Sequence, residues 1–598
     1  MKLFKKAMAI LLALVSCFAI VACKPTNNNG GGGSNPDAYD PFYDYGADGG
    51  AYVVKEDEVV ESIDVFKNDW AAFNDARRQN SPVYAALKEQ VGVDIVAMNS
   101  SSNWQQQLGL MQSDEDLPNI FLTEGPEDST FFKRLITNGD IIAISDWVNE
   151  TTYPNIYNHM QQFAYMRSNI EYADGKSWFI PSSWGNEKSL FVRKDWINNL
   201  IAKLDDILVK EKIVSSASQI TDEIRTKWAF KEPADLLEFY RLARAFTLYD
   251  PDNNGLNDTT GYVSEKNTDM DAWIFNAFEA GWGQFVEADG SYTYSNITNG
   301  SLYATAFITR LMSNGYMSLD SLTLDNGGKQ SRFMQGDVGM MYAHNWFNQF
   351  VSGLMNTYKC DIATATNMIV MIDPPAGPNG AWGGAGKEGY WQGFCINANM
   401  SNARIRKCLE FYDYLLSDEG YELLQYGVEG VHYEVKDGKK VSLLETDVEG
   451  FKLAITSEDP ATMLYALVDW TMHYRSTVAT NADIIVPRQV RSEANSVLSD
   501  YPALYTQTAV RNLNDCQSLF DETIATIKKN ENNKYFTADD ADTYSPATLT
   551  WDDLTTVPML MNMEWKRMVN SWLEDYSGQD ILDEYNDYIN SGKAVKKS

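Results

Sequence analysis

The chain has 598 residues and carries 82 acidic against 49 basic side chains, a formal net charge of −33 at neutral pH. This excess of negative charge argues against binding nucleic acid or an anionic surface by electrostatic attraction. The length exceeds what one ordinary hydrophobic core covers, so we expect two lobes.

The amino terminus predicts an export signal over residues 1–22. A basic start precedes an apolar run from Ala7 to Ala22, which is shorter than the roughly 20 residues that span a bilayer. The run ends in Ile-Val-Ala-Cys23, which resembles the bacterial lipobox. That resemblance implies cleavage before Cys23 and a lipid on its thiol, and the alternative is an ordinary secretory signal with a chance cysteine. Residues 23–50 are rich in Asn and Gly and predict a flexible tether.

After the tether, strand and helix patterns alternate, and this order predicts a mostly parallel α/β sheet. The predicted elements are a strand over Val59–Phe66, a helix over Pro82–Val91, a strand over Val93–Ala97, a helix over Asn103–Met111 and a strand beginning at Leu117. Ligands of such sheets lie beyond the carboxyl ends of the strands, here Met98–Trp104 and Thr123–Asp128. Glu124 and Asp128 are therefore candidate ligand-binding residues.

The middle of the chain continues with strands and amphipathic helices. We predict a strand over Ser189–Lys194, a helix opening at Asp195, a helix over Pro233–Phe246, a strand through Val338–Tyr342 after a turn at Gly336, and a helix over Ile405–Leu416. The last third of the chain is expected to be mainly helical.

Several segments follow one another in an order typical of one protein family. They are Gly175–Pro181, Phe191–Trp196, Pro233–Phe246 running into Asp250–Gly255, Phe333–Gly339 and Tyr426–Tyr433. Together they resemble the large extracellular solute-binding lipoproteins of carbohydrate ABC importers, the LplA-like group of family 1 solute-binding proteins. The resemblance extends from about Val59 to the carboxyl-terminal helices.

The resemblance implies a two-lobed periplasmic-binding-protein-like fold of type II, with a hinge and a ligand cleft at the interface of the lobes. It also implies delivery of the bound sugar to an ABC transporter permease. We expect residues 51–182 plus about 369–417 in lobe 1, and about 183–368 plus 418–598 in lobe 2. The protein is expected to be a monomer on the extracellular face of the cell membrane.

The segment Asp250-x-Asp252-x-Asn254-Gly255-Leu256-Asn257-Asp258 has the spacing of a calcium loop. Oxygen side chains alternate, and the glycine in sixth place permits the tight turn. We predict a structural calcium held by Asp250, Asp252, Asn254, the Leu256 carbonyl and Asp258. The loop is not an EF-hand, because Gly261 stands where the bidentate glutamate is required. A polar turn without metal is the alternative.

Aromatic residues make up 13% of the chain, and their flat faces suit the apolar faces of sugar rings. For each tryptophan, packing within a core is the alternative to ligand stacking, and Trp147 and Trp196 fit the core. Glu429 lies between glycines, where holding its own loop is as plausible as binding a ligand. The candidate ligand-binding residues that share positions near element ends are Trp184, Asn186, Trp273, Asn345, Trp346, Trp391 and Glu429.

Signatures of enzymes are scarce. The four histidines do not form an H-E-x-x-H motif, and neither G-x-S-x-G nor a P-loop is present. The remaining thiols, Cys360, Cys395, Cys408 and Cys516, fit no zinc spacing and are expected to be buried, with one disulfide left open. We therefore predict no enzyme and no catalytic cofactor, but a binding protein for an oligosaccharide, with the acidic composition favouring a neutral glycan. A glycoside hydrolase or lyase, which needs only two carboxylates, and a peptide-binding importer component are the alternatives.

Overall fold

The computed structural model describes residues 44–45, 51–52, 59–67, 80–99, 103–123, 129–163, 175–184, 188–266, 271–384, 389–444, 459–469, 507–536 and 548–592. The chain divides into two compact units, Met1–Phe42 and Tyr43–Ser598, and all described elements belong to the second. The predicted signal over 1–22 and the lipidation site Cys23 lie outside the described residues, as does nearly all of the predicted tether.

The second unit contains two lobes, each built around one β-sheet. The chain begins the first lobe with β1 (Ser62–Lys67), α1 (Pro82–Val91), β2 (Asp94–Asn99), α2 (Trp104–Ser113), β3 (Ile120–Thr123), α3 (Ser129–Asn138), α4 (Ile144–Trp147), α5 (Pro154–Gln161) and β4 (Ile180–Trp184).

The chain then forms the second lobe. Its elements are β5 (Lys188–Arg193), α6 (Lys194–Ala202), α7 (Leu204–Lys210), α8 (Asp222–Trp228), α9 (Leu236–Leu248), β6 (Thr260–Val263), α10 (Ala272–Ala277), β7 (Phe285–Ala288), β8 (Ser291–Tyr294), α11 (Asn299–Ser313), α12 (Asn326–Gln335), β9 (Val338–His344), α13 (Phe347–Tyr358), α14 (Ile362–Met368) and β10 (Ile369–Ile372).

The remaining elements return to the first lobe and then to the second. They are β11 (Gly389–Ile396), α15 (Asn402–Leu415), α16 (Asp418–Tyr426), β12 (Tyr433–Lys436), β13 (Lys439–Ser442), a 3-10 helix over Pro460–Leu467, α17 (Gln507–Lys529), α18 (Trp551–Thr555), α19 (Met559–Asp575) and α20 (Gly578–Asn590).

The first sheet has the strand order β2-β1-β3-β11-β4. Strand β1 runs parallel to both β2 and β3, whereas β11 runs antiparallel to β3 and to β4. Four of the five strands therefore point in one direction, which agrees with the mostly parallel sheet expected from the sequence.

The second sheet has the strand order β10-β5-β9-β6. Strand β9 is parallel to β6, and β5 is antiparallel to both β9 and β10. Alternate residues of β5 serve opposite faces, because Leu190 and Val192 lie in one apolar cluster and Phe191 lies in another. Helices therefore cover this sheet on both sides, as α/β architecture requires.

Local capping chemistry explains where the helices begin. Helix α1 spans the predicted residues, since Ser81 accepts a hydrogen bond from the Tyr84 N–H and Gly92 adopts a left-handed conformation at φ 71°. The helix predicted from Pro233 begins instead at Leu236. The Asp235 carboxylate caps it by accepting the Glu238 N–H at 2.8 Å, and the preceding backbone bonds to Ala376.

Arg193 and Asp195 form the structural ion pair that lies at the start of α6. The guanidinium donates to both carboxylate oxygens of Asp195 at 2.9 and 2.6 Å and packs against Trp196 and Tyr358. Arg193 is 1% exposed, so this pair holds the junction between β5 and α6 and is closed to a ligand. Trp196 and Trp147 are buried core residues.

The lobe boundaries differ from those expected for residues 369–372 and for the segments that follow 417. Strand β10 pairs with β5, so it belongs to the second sheet and not to lobe 1. Helix α16 and the 3-10 helix over Pro460–Leu467 pack into the apolar cluster of the first sheet. Helices α17 and α19 pack with the second lobe, beside α11. The hydrophobic pattern of a helix or strand predicts that it is buried, but not against which of the two cores it packs. The predicted and observed lobe assignments differ for this reason.

Three thiols are described, and Cys360, Cys395 and Cys408 are all free, with the last two buried. The side chain of Cys516 lies outside the described residues. No helix in the described part of the chain combines the length and apolar character needed to cross a membrane.

Candidate functional site

Parallel strands of the first lobe end together at one edge of the sheet. Strands β1, β2 and β3 end at Lys67, Asn99 and Thr123, and the antiparallel strand β11 passes this edge, with Gly393 opposite Thr123. The backbone of Trp184 at the end of β4 pairs with Gly389. In open α/β sheets, ligands bind beyond such carboxyl ends.

The second lobe has an equivalent edge where β6 and β9 end. His344 is the last residue of β9, and the antiparallel register places it opposite Lys188, the first residue of β5. Glu265 follows the end of β6, and Asn345 and Trp346 follow the end of β9. Lys329 reaches the same edge from helix α12, since its ammonium lies 3.0 Å from the Glu265 carboxylate. We call these six residues the strand-end cluster: Lys188, Glu265, Lys329, His344, Asn345 and Trp346.

The strand-end cluster combines a buried ion pair, an aromatic stack and a buried amide. Lys329 and Glu265 are 0% and 6% exposed in their side chains. The rings of His344 and Trp346 are stacked, with centroids 5.1 Å apart and planes 18° from parallel. Asn345 is 4% exposed, and its side-chain oxygen makes no hydrogen bond among the described residues. A buried amide oxygen without a donor is costly, so this atom is suited to accept a hydrogen bond from a ligand.

Burial and neighbouring charges shift the pKa values of two side chains at this edge, His344 and Lys329. Burial, the largest effect, and the charges of Lys188 and Lys329 together lower the pKa of His344 to about 3. The imidazole is therefore neutral near pH 7. Burial also lowers the pKa of Lys329, and Glu265 opposes that effect by stabilising the ammonium form.

A second ion pair lies in the core behind the cluster. Lys528 of α17 is 3.3 Å from the Asp271 carboxylate, and both side chains are at most 5% exposed. The Tyr262 hydroxyl donates to the same carboxylate at 3.2 Å. Trp273 in turn donates its indole N–H to Tyr262 at 3.1 Å.

The predicted calcium loop lies at the opposite edge of the second sheet, between α9 and the amino end of β6. The Asn254 side-chain nitrogen lies 3.0 Å from an oxygen of Asp252 and 3.1 Å from an oxygen of Asp258. Asp250 accepts the Gly255 N–H at 3.2 Å, and its other oxygen is 3.3 Å from the Lys203 ammonium. The side chains of Asp252 and Asp258 therefore both lie within hydrogen-bonding distance of the Asn254 side chain.

Electrostatics in the loop reflects the crowding of carboxylates. Burial and the neighbouring carboxylates of Asp250 and Asp258 raise the pKa of Asp252. Burial opposes ionisation of Asp250, but the hydrogen bonds from Lys203, Asp252 and the Gly255 N–H, together with the charge of Lys203, outweigh it and lower the pKa of Asp250. Within the described residues, no group of three or more His, Cys, Asp or Glu side chains has the arrangement of a metal site.

The structure places the predicted ligand-binding residues in different environments. Asn345 and Trp346 lie in the strand-end cluster, as their positions after a strand suggested. Trp273 is 0% exposed within the second-lobe core, which corrects its choice as a candidate ligand-binding residue. Its position in helix α10, which is buried along its whole length, explains the error. Glu429 is exposed in the loop after α16, where the residue-429 backbone bridges to Tyr433.

Five further predicted residues fall partly or wholly outside the description. Glu124, Asp128 and Asn186 lie outside the described residues. Trp184 and Trp391 are described only in their backbones, which belong to β4 and β11.

Sequence reasoning missed the charged members of the strand-end cluster. Lys188 directly precedes the predicted strand Ser189–Lys194 and His344 follows the one ending at Tyr342, so their positions carried a usable signal, whereas no strand was predicted before Glu265. Lys329 carried none, because only the packing of α12 against the sheet brings it to Glu265.

Comparisons with curated proteins identify two relatives from Bacillus subtilis strain 168. The chain is 24% identical over 357 residues to the polygalacturonan/rhamnogalacturonan-binding protein YtcQ, and the match covers 59% of this chain and 62% of YtcQ. It is 24% identical over 412 residues to lipoprotein LipO, and that match covers 60% of this chain and 75% of LipO. The chain thus spans less than two thirds of the length of YtcQ. No family model matches.

Comparisons with solved structures establish the fold. The Streptococcus pneumoniae ABC-transporter substrate-binding protein FusA in complex with kestose matches 89% of this chain and 100% of its own, with a TM-score of 0.57 at 14% identity. An EF-hand mutant of FusA matches with a TM-score of 0.56 at 14% identity, covering 89% of this chain and 99% of its own. The alginate-binding protein AlgQ2 without calcium ion matches 86% of this chain and 98% of its own, with a TM-score of 0.51 at 15% identity. The two-lobed fold of periplasmic binding proteins, expected from the family resemblance, is confirmed.

Proposed function

We propose that the chain is an extracellular binding protein that captures an oligosaccharide and delivers it to an ABC import permease. The observation that carries the proposal is the two-lobed architecture, which solved sugar-binding proteins share over 86% and 89% of this chain. The names of YtcQ and FusA, a glycan-binding and a substrate-binding protein, support binding without catalysis.

Ligand capture follows from how the chain joins the lobes. Only residues 185–187 separate β4 of the first sheet from β5 of the second, so the chain changes lobe at the edge where β4 ends. A sugar bound against both lobes stabilises a closed arrangement only if it binds that arrangement more tightly than the open one. A permease then distinguishes loaded from empty protein by the surface that closure creates.

The proposed binding roles divide between stacking and hydrogen bonding. Trp346 offers a ring face, and Asn345 offers an oxygen that accepts from a sugar hydroxyl. Trp184 and Trp391 are proposed as stacking residues, because their backbones lie at or near the ligand edge of the first sheet. The remaining predicted ligand-binding residues are Glu124, Asp128, Asn186 and Glu429.

Membrane attachment is proposed through a lipid on Cys23. The relative LipO is named a lipoprotein. Anchoring would hold the binding lobes near a permease and raise their local concentration there.

A structural calcium ion is proposed in the loop from Asp250 to Asp258. The carboxylates of Asp252 and Asp258 already lie within hydrogen-bonding distance of one side chain, and oxygen donors are the ligands that calcium prefers. Asp250, Asn254 and the Leu256 carbonyl would complete the set. Calcium would stabilise the loop and supply no catalytic chemistry.

Isothermal titration of the full chain with neutral and acidic oligosaccharides and with peptides tests the proposal. We expect stoichiometric binding of a sugar, with no product detected by mass spectrometry after long incubation. Trp346→Ala should weaken binding, whereas Trp228→Ala, which alters a tryptophan on the distant helix α8, should not. Sugar turnover would indicate the hydrolase or lyase, and binding of peptides alone would indicate the peptide importer.

A further inference from the structure

One helix of the second lobe, α19, exposes apolar side chains that its core does not use. The residues of α19 that are buried against the lobe recur every three or four positions and are Met561, Trp565, Met568 and Trp572. The opposite side begins with Met559, Leu560 and Met563, which are 74%, 45% and 52% exposed. Single exposed apolar residues are ordinary, but these three are neighbours on one helix surface and form a patch.

The same side of the helix becomes basic one turn later. Lys566 and Arg567 are both exposed, and Lys566 lies three residues after Met563, on the same stripe. Neither Lys566 nor Arg567 forms an ion pair with any residue that the structure describes. We call Met559, Leu560, Met563, Lys566 and Arg567 the outward face of α19.

This face is positively charged, although the chain as a whole carries −33. Glu564 is the only acidic residue between the start of α19 and Asn570, and both Lys534 and the Tyr535 hydroxyl contact its carboxylate. The first turn has no acidic residue and no side-chain cap, so the partial positive charge of the helix amino terminus is also uncompensated. An anion beside the outward face would therefore meet only groups that attract it.

An anionic bilayer surface matches both parts of the outward face. Methionine and leucine side chains can enter the boundary between headgroups and acyl chains, and lysine and arginine extend along it to reach the headgroup phosphates. A protein partner would need an apolar groove beside carboxylates, whereas a membrane offers both chemistries at any point. The lipid proposed on Cys23 would already bring the chain to such a surface.

The acidic composition limits this contact without preventing it. At physiological ionic strength the Debye length is about 8 Å, so the bilayer interacts chiefly with the groups that lie directly against it. The remaining acidic surface still opposes approach from solution. The contact therefore requires that the lipid hold the chain near the membrane.

We propose that the outward face of α19 rests on an anionic membrane surface and orients the second lobe of the anchored chain. Met559, Leu560 and Met563 enter the interface, and Lys566 and Arg567 pair with lipid phosphates. This inference rests on the proposed membrane attachment and is independent of which ligand the lobes bind. It adds an orientation, which a flexible tether does not supply.

Methionine oxidation on vesicles tests the proposal without a label. The lipidated protein is reconstituted on vesicles of phosphatidylcholine, with or without phosphatidylglycerol, and peptide mass spectrometry follows the oxidation of each methionine by hydrogen peroxide. We expect Met559 and Met563 to be oxidised about tenfold more slowly on the phosphatidylglycerol vesicles, since each basic residue near an anionic surface favours contact about fivefold. Met400, a partly buried methionine of the first lobe, should be oxidised equally on both.

Two double variants locate the effect. Lys566→Gln with Arg567→Gln should bring the oxidation rates of Met559 and Met563 on the two kinds of vesicle to near parity. Lys133→Gln with Lys194→Gln removes the same charge from exposed residues of other helices and should retain the full difference.

Four results would overturn the inference. The first two are equal oxidation of Met559 and Met563 on both kinds of vesicle, and a difference that survives in Lys566→Gln with Arg567→Gln. Protection that appears without vesicles and rises with protein concentration would assign the face to a second copy of the chain. Protection on native membranes but not on pure lipid would assign it to a membrane protein.

Failure of the attachment itself is recognised separately. If the amino-terminal peptide carries no lipid and the protein does not sediment with vesicles, the proposed attachment fails and this inference fails with it. Sugar binding measured by calorimetry is unaffected by that result, so the proposed ligand capture is tested independently.

Discussion

The two edges of the second sheet carry opposite charges in different environments. At the amino end of β6, the loop from Asp250 to Asp258 holds three carboxylates, and most of its residues are exposed. At the carboxyl end of β6, the strand-end cluster holds two lysines beside a buried glutamate. Solvent screens the charges of the exposed loop, whereas neighbouring groups of the protein must balance the buried charges of the cluster.

The difference also explains which site the sequence could reveal. The loop is contiguous, so its alternating oxygen residues and its glycine are visible as a motif. The strand-end cluster is assembled from three strands and a helix, and its members are separated by long stretches of chain. A motif search finds sites of the first kind, whereas sites of the second kind require the sheet register.

Breaking the buried ion pair should have the largest effect on stability. Lys329→Met leaves the Glu265 carboxylate buried without its partner, which typically costs about 3 to 5 kcal/mol. Chemical denaturation of both proteins measures the loss. The double variant Lys329→Met with Glu265→Leu should recover most of it, since no buried charge then remains. A single-variant loss below about 1 kcal/mol would mean that solvent reaches this pair.

Acid should weaken the lysine-rich edge through His344. Its pKa is about 3 in the folded protein, below its ordinary 6.5, so the unfolded chain takes up the proton first. The contribution of the neutral imidazole to the free energy of unfolding is fully present above pH 6.5 and is lost as the pH falls toward 3. Between pH 6.5 and pH 5, this group should lower the free energy of unfolding by at most about 2 kcal/mol.

Denaturation of the natural protein and of His344→Gln at pH 7, 6 and 5 isolates this effect, because other titrating groups are common to both. The natural protein should lose more stability than the variant as the pH falls. Parallel losses would show that His344 is accessible to protons in the folded state.

Calcium should stabilise the acidic edge by a smaller amount. At ten times its dissociation constant, an ion that binds only the folded protein adds roughly 1.4 kcal/mol. We expect calcium to raise the melting temperature of the natural protein but not of Asp252→Ala. Without calcium, Asp252→Ala should be neutral or slightly stabilising, because it removes a carboxylate whose pKa is raised by its neighbours. Asp222→Ala, an exposed aspartate of α8, is the control and should retain the response. The same response in Asp252→Ala would place the calcium elsewhere.

The sequence predicted most of the first sheet and failed at particular points for physical reasons. The strand and helix patterns before residue 123 gave elements within a few residues of their observed bounds, because each apolar face has one core to pack against. Strand β10 and helix α16 were assigned to the wrong lobe, since either core could bury them. Trp273 was misplaced because an aromatic residue near the end of a predicted element has the same sequence signature in a buried helix as at a site. Asn345 and Trp346 were placed correctly at a strand end.

The ion pair at the acidic edge gives the most direct contrast with the buried pair. The Lys203 ammonium lies 3.3 Å from a carboxylate oxygen of Asp250, but about a quarter to a third of each side chain remains exposed. An accessible pair of this kind contributes under about 1 kcal/mol, so Lys203→Met should change the free energy of unfolding little in the absence of calcium. Calcium affinity should rise several-fold in this variant, because the ammonium no longer competes for the Asp250 oxygen. Lys194→Met removes an equal charge without that contact and serves as the control for both measurements, denaturation and calcium titration. If Lys203→Met proved as destabilising as Lys329→Met, burial would not be what distinguishes the two edges.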